Sequence, residues 1–211
     1  MVVPVNHKQA QKLTYIGHLP AHKLLKLAEE EGDHWEIHIN LGSIPWGKTP
    51  AKENILATAW LPLDLDFKDH LAPSPHELLL EIACRGLPLP TLVYRTPSGG
   101  YRVLYRLKHP VYFDHGDSLR RRFTRFFEKT QSALCDALGD LGADRQAVGI
   151  HHLFRIHPAE LVYHAPENRP TLTELHRAAA ARRRETKRKK ATPAPRKLTA
   201  KPGLESALKW I

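Results

Sequence analysis

Cysteine and methionine are scarce in this chain of 211 residues, two of the first and one of the second. Cys84 and Cys135 sit in apolar stretches of helical spacing with no CxxC or Cys/His pattern. That excludes a disulfide framework and a thiolate zinc site, and it predicts two buried thiols. No apolar run approaches the roughly 18 uncharged residues of a membrane span. The opening MVVPVNHKQAQKL lacks the long apolar segment of a signal peptide, so the expected location is the cytoplasm, with no membrane partner. Negative charge is missing from one place in particular. From Arg177 to Lys201 eleven Lys and Arg meet a single acid, Glu185, and this stretch alone equals the formal charge of +10, leaving the remainder near neutral. Such a tail attracts phosphates without regard to sequence, and it equally fits a solvated helix end running into a disordered tail.

What is present is an ordinary globular composition, 42% hydrophobic, enough for one sizeable core. LPAHKLLKLAEEEG has the apolar spacing and glycine stop of a short amphipathic helix. HWEIHINLG alternates like a half-buried strand, and a loop rich in Gly, Pro and Lys leads to a second strand from Ile55 to Phe67. SPHELLLEIACRG opens on a Ser74 cap followed by Pro75 and ends at Gly86, the marks of a helix. TLVYRTPSGGYRVLYRL reads as a hairpin turning at Pro97, Ser98, Gly99 and Gly100. From Ser118, apolar residues at helical spacing predict a helix of about six turns. GIHHLFRIHP and LVYHA follow as strands, then a helix capped at Thr171 or Thr173 runs into a Pro/Lys linker. This order predicts an α+β fold, an antiparallel or mixed sheet with helices on one face.

The strand around AWLPLDLDFKDH contains two aspartates. Residues two apart share a side, so Asp64 and Asp66 project together while Leu63, Leu65 and Phe67 face the core. Like charges side by side call for a cation, and Mg²⁺ or Mn²⁺ suits carboxylates combined with substrate phosphates. The same spacing also fits a strand ending at Leu63 with an exposed acidic loop. Gly99 and Gly100 let backbone amides approach phosphate oxygens, Ser98 adds a hydroxyl and Arg102 a guanidinium fork, all of which a plain hairpin turn could carry too. Asp144, after the long helix, is either a third carboxylate for a metal or a loop aspartate, and Arg155 lies on the strand beyond it.

Taken in order, LPLDLD, SGGYR and GADRQAVGIHHLFRIHP resemble the three motifs of the archaeo-eukaryotic primase superfamily, especially the primase-polymerase domains of plasmid and phage replication proteins. The resemblance spans about residues 15 to 165. It implies an RNA-recognition-like sheet and two-metal nucleotidyl transfer, with Asp64, Asp66 and Asp144 holding Mg²⁺ or Mn²⁺. Ser98, Gly99, Gly100 and Arg102 would hold the triphosphate, and Arg155 would contact nucleotide or template. Single-stranded DNA and nucleoside triphosphates are the implied partners, together with a helicase or helical accessory domain. Position 102 is Arg where the family usually has His, and FRIHPAE replaces a glycine-containing third motif.

The expected layout is a primase-polymerase domain over 1–170, a basic helix over 171–190, and a linker with the start of a further helical segment over 191–211. On this reading the chain is a fragment of a longer replication protein. Two other classes compete. A rolling-circle initiator nuclease needs a His pair on one strand face and a nucleophilic tyrosine, but His151 and His152 are adjacent and point to opposite faces. A non-catalytic single-stranded nucleic-acid-binding module would stack bases on Tyr94, Tyr101, Tyr105 and Phe154, residues that core packing would equally employ.

Overall fold

The structure is a computed structural model that describes residues 2–6, 35–45, 48, 51–67, 71–151, 153–157 and 159–191. Eight strands are present among them: β1 (Val2–Asn6), β2 (Trp35–Asn40), β3 (Gly42–Ser43), β4 (Ala57–Leu65), β5 (Leu92–Arg95), β6 (Tyr101–Tyr112), β7 (Leu153–His157) and β8 (Glu160–His164). Three α-helices lie among them: α1 (Pro75–Cys84), α2 (Asp117–Ala137) and α3 (Leu172–Ala191). The helix expected over 19–32 and the linker after 191 fall outside the described residues.

The fold is α+β with an antiparallel sheet, as expected, and its strands divide between two sheets. One has the order β1-β2-β7, the other β3-β4-β6-β5-β8, and every pairing is antiparallel. The strand at WEIHIN therefore joins β1 and β7, not the strand that carries the aspartates. β1 itself is hidden in the sequence by Pro4, which a strand tolerates at the edge of a sheet, where β1 lies.

The five-stranded sheet is covered on one face by helices. Leu61, Leu63 and Leu65 of β4 and Val103, Tyr105 and Leu107 of β6 alternate onto that face and are buried. They meet Leu78 and Ile82 of α1, Phe127 and Leu134 of α2, and Leu175 and Ala179 of α3 in one core. Each fully buried leucine contributes about 1.5–3 kcal/mol of transfer free energy, so this layer fixes which way the intervening residues of β4 point.

Local chemistry ends the helices where the sequence said it would. The Glu77 N–H donates to Ser74 Oγ at 3.3 Å and the Ser74 N–H donates to Glu77 Oε2 at 2.7 Å, a capping box with Pro75 just inside. Thr171 and Glu174 repeat it for α3, with bonds of 3.1 and 2.7 Å. Arg120 fastens α2 to the loop before it and to the stretch before β4, donating to the carbonyls of Phe113, Lys52, Glu53 and Ile55 at 2.7–3.0 Å. Of the two cysteines only Cys135 is buried, its thiol pushed up to about 11 chiefly by burial. Cys84 is exposed: it ends α1 off the stripe that Leu78 and Ile82 present to the core.

Candidate active site

The site is built at the end of β4. Core packing of Leu63 and Leu65 turns Asp64 to the opposite face, and the register places it directly across from Arg102 of β6. The Arg102 Nη2 donates to Asp64 Oδ2 at 2.9 Å; the arginine side chain is 8% exposed and the aspartate 23%. Asp66 lies just past the strand, but its main chain stays paired: its N–H donates to the Gly142 carbonyl at 2.8 Å. The Asp144 N–H likewise donates to the Asp64 carbonyl at 2.8 Å, and Leu65 bridges to Ala143. Backbone bonds thus bring the LDLD and GADR stretches side by side.

Two glycines make the approach feasible. Gly142 has φ +73°, and a Cβ there would stand 2.1 Å from the Asp66 carbonyl oxygen. A Cβ on Gly100 would stand 2.4 Å from the Leu65 carbonyl oxygen and 3.3 Å from Asp66 Oδ1. Asp66 is therefore wedged between the main chain of the hairpin and that of the loop after α2, so that all three sequence motifs meet at this one residue. The hairpin closes with the Gly99 N–H donating to the Thr96 carbonyl and the Thr96 N–H to the Gly100 carbonyl, both at 2.9 Å, with Gly99 at φ +84°. The Gly99 amide is thus engaged within the turn, and the exposed Ser98 hydroxyl lies 3.0 Å from that of Thr96.

Asp66 and Asp144 line an open cleft of about 890 Å³ whose wall also carries Glu77, Glu81 and Asp140. An acidic cleft repels bare phosphates and attracts cations. Among the described residues no group of three or more His, Cys, Asp or Glu is gathered as a metal cluster, so the three aspartates do not form a ready-made cage. Part of the donor set nevertheless suits a hard divalent ion. The Asp66 carboxylate accepts no hydrogen bond or ion pair among the described residues. Among the described residues Asp144 commits only Oδ1, to the Gln146 N–H at 2.8 Å. Asp64 is the exception, being held by Arg102. Arg155 lies on β7 opposite His38, in the other sheet.

Several supports were not evident in the sequence. The buried Gln131 of α2 donates to the Pro62 carbonyl of β4 at 2.8 Å and accepts from the Gly149 N–H at 2.9 Å, tying the strand to the stretch after Asp144. Arg85, at the end of α1, reaches the Ala137 carbonyl at 3.0 Å and forks onto Asp140, whose carboxyl it holds below its ordinary value. Tyr101 donates to the Pro73 carbonyl at 2.6 Å and packs edge-on against Phe67. Tyr101 and Tyr105 are 1% and 0% exposed, so neither can stack on a base.

A model of the Replicase family matches residues 51–179, the whole of the site included. No curated protein matches the chain. Among solved structures, the AEP domain of the primase-polymerase (PrimPol) of cyanophage S-2L superposes with a TM-score of 0.59 at 11% identity, covering 84% of this chain and 87% of that one. The catalytic domain of the primase RepB′, solved in complex with initiator DNA, gives a TM-score of 0.49 at 13% identity over 89% of this chain and 88% of that one. The first likeness establishes a shared fold.

Proposed function

The chain belongs to the Replicase family, and from that premise we propose that it is a DNA primase or primase-polymerase, a template-dependent nucleotidyltransferase that makes primers on single-stranded DNA in plasmid or phage replication. The observation that carries this reading is the convergence on Asp66 of the aspartate strand, the glycine hairpin and the loop bearing Asp144. The fold shared with the cyanophage primase-polymerase domain supports it.

In this reading Asp66 and Asp144 hold Mg²⁺ or Mn²⁺ at the cleft, and Asp64 joins them when nucleotide is bound. The ions would supply Lewis acidity, lowering the pKa of the primer 3′-hydroxyl and neutralising charge on the triphosphate. The residues do the rest by positioning. Gly100 brings main chain to within reach of the Asp66 carboxylate, Ser98 and Gly99 offer the hairpin rim to the triphosphate, and Arg102 supplies a guanidinium fork for phosphate oxygens. Arg155 is assigned to nucleotide or template. No nucleophilic side chain is required, because the attacking group belongs to the primer. We place the catalytic domain at 1–170, with α3 and the basic stretch beyond it drawn to the phosphate backbone.

The test is priming and extension on single-stranded DNA with Mg²⁺ or Mn²⁺, wild type beside Asp66→Ala. Metal-dependent synthesis by the wild type, reduced by about two orders of magnitude or more in the variant, is the expected result. No synthesis by either, with DNA binding intact in both, would replace this reading with a non-catalytic binding module.

A further inference from the structure

The Asp64 carboxylate already has a cation. Arg102 stands opposite it in the strand register, its guanidinium is nearly excluded from solvent, and its Nη2 reaches Oδ2 at 2.9 Å. Both side chains leave β strands whose neighbours are locked by the core, so the pair is set by the sheet and not by two flexible arms meeting at the surface. Charge-assisted bonds of this kind are stronger than exposed ion pairs. A divalent ion approaching Asp64 would have to displace a fixed positive charge and would be repelled by it at short range. Asp66 and Asp144 meet no such competitor among the described residues, and they open onto the acidic cleft.

We infer that Arg102 is an internal counter-cation that keeps Asp64 out of metal coordination in the nucleotide-free protein, so that the resting site takes a single divalent ion through Asp66 and Asp144. The inference rests on the metal-dependent reading above and deepens it. It is specific to arginine at this position, since a neutral imidazole would leave Asp64 uncompensated and free to bind metal. It also gives the arginine two alternative anions, the aspartate at rest and the phosphates of an arriving nucleotide.

The test is a Mn²⁺ titration of the full chain without nucleotide, read by the loss of the free-ion electron paramagnetic resonance signal. Wild type is expected to bind one Mn²⁺. Asp66→Asn should weaken binding by about tenfold or more, whereas Asp64→Asn should leave it unchanged within about twofold. Arg102→Gln should tighten binding or add a second ion, with a gain of about tenfold, and the double variant Asp64→Asn/Arg102→Gln should lose that gain. If Arg102→Gln fails to fold, Asp64→Asn, which is close to isosteric, decides alone. Weakening by Asp64→Asn equal to that by Asp66→Asn overturns the inference and leaves the metal reading standing. No Mn²⁺ bound by any variant overturns both.

Discussion

Gly142→Ala tests how the site is assembled. The added methyl would stand 2.1 Å from the Asp66 carbonyl oxygen and 2.8 Å from its carbon, and the backbone there has φ +73°. The left-handed conformation alone costs a residue with a Cβ about 1–2 kcal/mol. The contact is with main chain, which cannot swing aside as a side chain can, so the loop must lift off β4. Lifting strains or breaks the bonds from the Asp66 N–H to Gly142 and from the Asp144 N–H to Asp64, each worth about 1 kcal/mol. The sum is about 3–4 kcal/mol, a fall in Tm of roughly 10 °C for a chain of this size. Gly86→Ala is the matched control: its φ is +67° but nothing lies within 4 Å of the added atom, so it should cost only about 1–2 kcal/mol. Thermal melts and primer extension on the two variants separate space from strain. Gly142→Ala should also lose about two orders of magnitude in synthesis through displacement of Asp144, while Gly86→Ala keeps its activity. Equal melting temperatures and equal activities would refute the reasoning.

Gln131→Ala would strip partners from the buried Pro62 carbonyl and Gly149 N–H, and a urea titration should show a loss of about 2–4 kcal/mol. A thiol reagent under native conditions should label Cys84 and spare Cys135, whose thiol is buried and raised to about 11; equal labelling would contradict the packing of α2. Because Arg85 lowers the Asp140 carboxyl from 3.8, the stabilisation by that pair is complete above about pH 4 and fades as the pH falls through the depressed value. Wild type and Asp140→Asn should therefore differ in urea midpoint above pH 4 and converge as the pH falls through the depressed value.

What could be read from the sequence is what neighbouring residues decide. The caps at Ser74 and Thr171, the turn at Gly99 and the apolar spacing of α2 are local signals, and α1, the hairpin and α2 formed as they indicate. The alternation of Leu63, Leu65 and Phe67 gave the core face of the aspartate strand, and with it the side on which Asp64 lies. Pairings between distant segments were not legible. The split into two sheets depends on β2 finding β1 and β7. The role of Arg102 turns on a cross-strand register that places it opposite Asp64: read alone, it is a fork for phosphates, but in the sheet it is a partner for a carboxylate. Gln131 looks like one polar residue on an amphipathic helix until the Pro62 and Gly149 backbones arrive beside it.

The two glycines beside Asp66 bear on how this protein can change over generations. Where they press against the aspartate, the walls are peptide backbone, and backbone is the same whatever residues neighbour it in the chain. Drift in the surrounding sequence leaves those walls intact so long as the path of the chain persists and both positions stay free of a side chain. The shape of such a pocket is set by two missing methyl groups more than by the residues around them.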